Sequence, residues 1–258
     1  MGRTRTRSAR PDPPPPGDPF GAVSESGSTV GAFLGIETSG TATAVALVTG
    51  DRELVETARA GTAHNEVLFG LIARVIAAGN IAPVRLAGIG VTIGPGMFTS
   101  LRVGLSAAKA LALAHSIPLA GIDTFTALAA DVAVNSHILA VVDARKQQVY
   151  AALHLGLTRL LGPLLATPAE LTARVAEATG TAGRILVAGS GSALCLPLLE
   201  AAGLAATDSG ILTPSAAGVG RLARARVAAG LADDVGRLEP LYLRRTDAEL
   251  VREQRWPG

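Results

Sequence analysis

The sequence predicts an α/β protein built from two similar halves, each a mixed sheet with flanking helices. Three observations predict it. Short apolar runs alternate along the chain with longer amphipathic stretches, as strands and helices do. The string Leu34-Gly35-Ile36-Glu37-Thr38 has a counterpart in Ala140-Val141-Val142-Asp143-Ala144. In both places an apolar strand ends on an acid and a polar turn leads into a second strand, which marks an internal duplication of architecture. Gly94-Pro95-Gly96 forms strong turn punctuation between an apolar run and a small-residue helix.

The elements follow in order. Residues 1–30 carry Arg3, Arg5, Arg7 and Arg10, then a proline cluster and a Gly/Ser stretch. Such a segment has too little apolar surface to offset its ordering entropy and is expected to be a disordered extension. A basic arm that touches RNA or a partner is the sharper alternative. Ala32 to Glu37 reads as a strand, Ala44 to Val48 as a second, and Glu53 to Ala60 as a third beyond a hairpin turn. A helix is expected from about Asn65 to Ala78, with Val67, Leu68, Leu71, Ile72, Val75 and Ile76 on one stripe. Its second face carries Gly70, Ala73 and Ala77. Small residues there permit close approach of another helix, or ordinary packing on the protein's own sheet.

Leu86 to Ile93 reads as a buried strand, and Leu101 to Ala114 as a helix with Thr99 or Ser100 as its cap. Gly104 and Ala108 lie among its small residues. A strand, glycine turn and helix in this order can bind an anion or serve as a plain crossover. Pro118 to Asp123 is a further strand, and Thr124 is placed to cap a helix to about Ala133. The pattern then restarts. Strands are expected at His137 to Asp143, Gln148 to Leu155, Arg159 to Leu164 and Arg184 to Ala188. Helices are expected at Pro168 to Ala178, Ser192 to Ala201 and Ser215 to Gly230, with an extended piece at Leu238 to Arg244. This divides the chain into a first subdomain at 31–134, a second at 135–250 and a loose tail at 251–258. The duplicated order points to the actin-like (ribonuclease H-like) fold.

Composition narrows the function classes. The chain has 258 residues, 48% of them hydrophobic and 17% charged, so it fills a core. Aromatics are 3%, which argues against base-stacking platforms for single-stranded RNA. The net charge of +2 gives little pull on a polyanion. Cys195 is alone, so no internal disulfide forms, which fits a reducing cytoplasm. No apolar run of membrane-spanning length occurs, so no membrane association is expected.

Chemistry-bearing motifs are sparse. Glu37 and Asp143 end equivalent strands and are the first candidates to hold a metal or orient water. In nucleotide-using proteins of this fold the two opening turns face one another across a cleft. That makes Glu37, Thr38, Ser39 and Asp143 a candidate cleft, read as vestigial. His64 starts a helix, yet Leu68 stands where a second metal-binding histidine would be. Gly189-Ser190-Gly191-Ser192 lies between a strand and a helix, a weak nucleotide signal. There is no Walker-type loop, nucleophile elbow or Ser/His/Asp set. No catalytic residue, metal or cofactor is therefore expected.

The string Gly94-Pro95-Gly96-Met97-Phe98-Thr99-Ser100-Leu101-Arg102-Val103-Gly104 resembles the signature of the bacterial TsaB (YeaZ) family. Gly94, Pro95, Gly96, Phe98, Thr99 and Arg102 carry the likeness. Ile36-Glu37-Thr38-Ser39, His64-Asn65-Glu66, Asp143 to Tyr150 and Pro240 to Arg245 extend it over roughly residues 32–250. Ser100 stands where the family usually has Gly. The resemblance implies a non-catalytic subunit in tRNA N6-threonylcarbamoyladenosine formation. It would dock a TsaD-like transferase, meet a TsaE-like ATPase through the complex, and touch tRNA only indirectly. The helices bearing Gly70, Ala73, Ala77, Gly104 and Ala108 would form the docking surface, and a homodimer would use the same helices. The rival is an active ATP-dependent kinase or metal-dependent peptidase of the same fold.

Overall fold

A computed structural model of the protein describes residues 31–50, 52–58, 64–180 and 183–244. The expectations for residues 1–30 and 251–258 fall outside the described residues. The first half supplies strands β1 (Ala32–Glu37), β2 (Thr43–Val48), β3 (Glu53–Ala58), β4 (Leu86–Gly94) and β5 (Leu119–Asp123). Its helices are α1 (His64–Ala78), α2 (Phe98–His115) and α3 (Thr124–Val132). The second half supplies β6 (His137–Asp143), β7 (Val149–Leu155), β8 (Thr158–Ala166), β9 (Ile185–Ala188) and β10 (Ala206–Asp208). Helices α4 (Pro168–Thr179), α5 (Ser192–Ala201) and α6 (Ala216–Ala228) complete it. A 3-10 turn at Pro83–Arg85 and the short β10 are elements that the sequence pattern did not reveal.

The duplication is visible in the pairing. One sheet has the order β3-β2-β1-β4-β5 and the other β10-β9-β6-β7-β8. In the first, β1 runs antiparallel to β2 and parallel to β4. In the second, β6 runs antiparallel to β7 and parallel to β9. Glu37 faces Ala44 and Asp143 faces Val149 at the ends of the equivalent hairpins. The fold is the duplicated α/β architecture that the sequence predicts.

Helices cover both faces of the first sheet. On one face α1 and α2 pack side by side, burying Leu68, Leu71, Ile72, Val75, Leu105 and Ala108 against Leu34, Ile36, Val45 and Ile89. Removing such side chains from water is the main favourable term, roughly 1.5–3 kcal/mol for each fully buried large aliphatic. On the other face α6 lies across β1, β2, β4 and β5, with Val219 and Ala223 against Phe33 and Ile122. Thus α6 covers the first sheet although its residues fall in the second half of the chain. Between the sheets sits α3, which contacts strands of both.

Local chemistry sets the helix ends. The sequence placed the cap of α2 at Thr99 or Ser100; the observed cap residue is Met97, without a side-chain bond. Its N–H donates to the Ser39 carbonyl at 2.9 Å, so a tertiary contact starts the helix. The cap of α3 is Asp123, whose carboxylate accepts from the Thr126 N–H at 3.0 Å, and Thr124 becomes the first helical residue. A capping box of Thr167 and Glu170 opens α4. Residues 238–244 form no strand but a strap, discussed below. Among the described residues, no helix is long and apolar enough to cross a membrane.

Candidate functional site

The ends of β1 and β6 meet at a cleft between the halves. A cavity of about 240 Å³ opens there, with Ser39, Gly96, Asp143, Arg145, Ser190 and Thr213 in its lining. Of the four cleft candidates, Ser39 and Asp143 line the cavity, whereas Glu37 and Thr38 do not. Glu37 is buried. Its Oε1 accepts from the Ser39 N–H at 2.7 Å and the Ser39 hydroxyl at 2.5 Å, and its Oε2 has no partner. Burial pushes its carboxyl up to about 7, against the hydrogen bonds from Ser39 that favour the charged form.

Several polar groups of this cleft are engaged by the chain itself. Asp143 Oδ1 accepts from the Arg145 N–H at 2.8 Å, and Oδ2 lies 3.4 Å from the Arg145 guanidinium. The loop Gly189-Ser190-Gly191 is pinned to β6: Gly191 N–H donates to the Val141 carbonyl at 3.0 Å, and Ser190 Oγ accepts from Asp143 N–H at 3.1 Å. A polyphosphate needs free backbone N–H groups at such turns. Here those of Ser39, Met97 and Gly191 are bonded within the chain. Those three N–H groups are therefore not free to hold such a group. Among the described residues, no cluster of metal-ligating side chains occurs.

The glycine signature is a joint where four parts of the chain meet. Gly94 adopts φ of 113°, a conformation that favours glycine. A Cβ on Gly96 would lie 2.4 Å from the Ser39 carbonyl oxygen, so only glycine lets the two turns touch. The Pro95 carbonyl accepts from the Thr124 hydroxyl at 2.8 Å, tying the turn to α3. The Ile93 carbonyl accepts from the Leu241 N–H at 2.7 Å, tying it to the C-terminal strap. Phe98 stacks on Tyr242 with ring centroids 5.0 Å apart, and the Arg102 guanidinium lies 3.9 Å over the Phe98 ring. Thr99 is exposed beside them.

The strap continues across the molecule. Leu243 packs with Phe125 and Leu128 in the core between the halves. Arg244 donates to the Ala144 carbonyl at 2.8 Å and bonds Gln148 Oε1. A second link runs from β8 to the start of α3: Arg159 bridges Asp123 at 2.8 Å and reaches the Thr126 hydroxyl at 3.2 Å. Nothing in the local pattern marked Arg159, because Asp123 and Thr126 lie more than thirty residues away. Tyr242 was visible only through the family signature.

The small-residue faces separate. Gly70, Ala73 and Ala77 are exposed on α1, next to Phe69, which is 55% exposed. Gly104 and Ala108 are buried, contrary to their expected place on a docking surface. A Cβ on Gly104 would lie 2.2 Å from Thr38 Oγ1. Gly104 is small because Thr38, the residue after β1, lies against it, and Ala108 because it fills the core under the sheet.

Comparison with known proteins follows the geometry. The family model described as TsaD, tRNA N6-adenosine threonylcarbamoyltransferase, matches residues 56–248. An uncharacterized protein of Mycobacterium tuberculosis, Rv3421c, is 30% identical over 203 residues, which cover 79% of this chain and 83% of that protein. A tRNA N6-adenosine threonylcarbamoyltransferase of Anoxybacillus flavithermus is 38% identical over 106 residues, 34% of this chain and 31% of the enzyme. The chain thus spans about a third of the length of that transferase. In fold it is similar to YeaZ from Pseudomonas aeruginosa, with a TM-score of 0.70 and 22% identity, covering 83% of this chain and all of that one. The match over residues 56–248 establishes that the chain belongs to the tRNA N6-adenosine threonylcarbamoyltransferase (TsaD) family, and it has the fold of the YeaZ (TsaB) proteins that its glycine signature resembles.

Proposed function

We propose that this chain is a non-catalytic subunit that docks and supports a TsaD-type transferase in forming N6-threonylcarbamoyladenosine on tRNA. One observation carries the reading. The first sheet is covered by α1 and α2, and α1 turns Phe69, Gly70, Ala73 and Ala77 outward on one stripe. An exposed aromatic beside small residues suits close packing of a second helix pair. On α2, Leu113 is also exposed, at 69%. The partner on this face is the transferase, and a second copy of the chain competes for it. The cleft acts as a structural seam between the halves, a vestige of a nucleotide site, because on each side its acid or serine is bonded to its own half's backbone, Glu37 to the Ser39 N–H and Ser190 to the Asp143 N–H. A TsaE-like ATPase joins through the complex, tRNA is reached through the transferase, and the assembly works in the cytoplasm.

The test is reconstitution. The full chain should co-purify with its organism's TsaD-type transferase, and tRNA modification should rise when it is added. Failure to bind that transferase overturns the reading. ATPase, kinase or peptidase turnover by the purified chain that vanishes in Glu37→Ala or Asp143→Ala would favour an enzyme instead.

A further inference from the structure

The outward face of α1 continues onto α2 and ends at one cation. Helix α1 lies over β2 and β3, and α2 packs beside it over β4. On the far side of α2 the chain leading into the strap borders the sheet edge, where Asp233 pairs with Leu119 of β5. The outward residues of α2 are Ser106, Ala110, Leu113 and Ala114, three and four apart as on one helical face. Arg102 stands one turn before Ser106 and is also exposed.

The Arg102 side chain is held in place before any partner arrives. Its guanidinium carbon lies 3.9 Å over the Phe98 ring, and its Nε donates to the Tyr242 hydroxyl at 2.9 Å. Among the described residues, no acceptor takes its Nη groups and no carboxylate pairs with it. Four donor hydrogens therefore point away from the chain on a side chain with little freedom left to lose on binding.

The charge at this end of α2 is uncompensated. The helix contains no Asp or Glu, and its first turn holds no acid. The positive end of a helix dipole favours acids in that turn, and a cation one turn in adds to the same sign. Its electrostatic complement is a carboxylate on whatever covers this face. Met97, Phe98 and Tyr242 are 46%, 38% and 40% exposed around Arg102. A partner covering these side chains shields an ion pair there from water, and arginine and tyrosine are the residue types that carry most energy in such settings.

We propose that Arg102 is an electrostatic anchor of the docking face, where it takes a carboxylate of the transferase at the N-terminal end of α2; the inference rests on the docking reading above. The two Nη groups supply parallel N–H bonds to the carboxylate while Nε stays on Tyr242.

The experiment is calorimetric titration of the organism's TsaD-type transferase into the full chain and into Arg102→Lys, Arg102→Gln and Arg102→Glu, at low and high salt. At low salt the affinity should fall about ten-fold in Arg102→Gln and about a hundred-fold in Arg102→Glu, with Arg102→Lys above both. High salt should narrow the spread. If Arg102 only positions Tyr242, the three variants bind alike at both salts, and the proposal is overturned. If all three bind as the unaltered chain does while Gly70→Leu binds more weakly, the anchor is refuted and the docking reading stands. No binding by the unaltered chain refutes both. Should the variants fail to fold, phenylglyoxal labelling of the unaltered chain, read by mass spectrometry, decides. Protection of Arg102 when the transferase is added supports the anchor, and equal labelling with and without it refutes the anchor.

Discussion

Arg102 donates through Nε to the Tyr242 hydroxyl at 2.9 Å, joining residues 140 positions apart in the chain. The bond sits on top of the Phe98–Tyr242 stack, so the C-terminal strap is held to α2 by both polarity and ring contact. Tyr242→Phe keeps the ring and removes the hydroxyl. It should cost about 0.5 kcal/mol at this half-exposed site. Tyr242→Ala also removes the stack and should cost about 1–2 kcal/mol in all. Urea unfolding of the two variants checks the order. Equal costs would mean that the ring contributes nothing.

One substitution at two glycines of neighbouring helices should have opposite signs. Gly104→Ala places a methyl 2.2 Å from Thr38 Oγ1 and should destabilise by about 1–3 kcal/mol. Gly70→Ala meets only the Arg74 guanidinium at 3.6 Å and should stabilise by about 0.5–1 kcal/mol. Thermal melts of the two variants give the comparison.

The exposed stripe of α1 tests docking. Gly70→Leu and Ala73→Leu should leave the fold intact and weaken the transferase complex by about one to two decades. Calorimetric titration beside a melt separates the effects. Unfolding of both variants would move the stripe into the core, against its exposure. Unchanged affinity would place the docking surface elsewhere.

His154 predicts acid sensitivity. It is buried, its Nδ1 has no partner, and its Nε2 lies 3.5 Å from Arg159 Nε. Burial, then the Arg159 charge, lowers its pKa. A base with a depressed folded pKa contributes stability that is fully present above the unfolded value near 6.5 and is lost as pH falls. Because Arg159 holds Asp123, the loss should be felt at the seam between the halves. Melting temperature should drop below pH 6.5, and His154→Gln should flatten that limb of the profile.

Cys195 should be inert in the native protein. It is buried in the second core, and burial raises its thiol to about 11, leaving little thiolate at pH 8. Alkylation followed by mass spectrometry should label it only after denaturant is added.

Much of the fold is written in local pattern. Strands β1, β6 and helix α5 have the bounds that their apolar runs predict, and the twin hairpins ending in Glu37 and Asp143 disclose the duplication. Local steric and hydrophobic periodicity suffices there, since each run buries one face whatever lies opposite. The glycine signature was equally legible as a turn, and its likeness to TsaB named the family region.

By itself the sequence determined the element types, the doubled α/β plan and the places where only small residues stand. The tertiary structure decided what those residues face. Gly70 and Gly104 are both glycines on helices that cover one sheet, yet one meets solvent and the other meets Thr38. Helical spacing defines a face but not its neighbour, which is set by strands far away in sequence. The same reason accounts for α6 returning to the first sheet, for Met97 rather than Thr99 capping α2, and for Arg159 finding Asp123. Each depends on a contact between distant segments, and the free energy of such a contact exists only once the two sheets have brought them together.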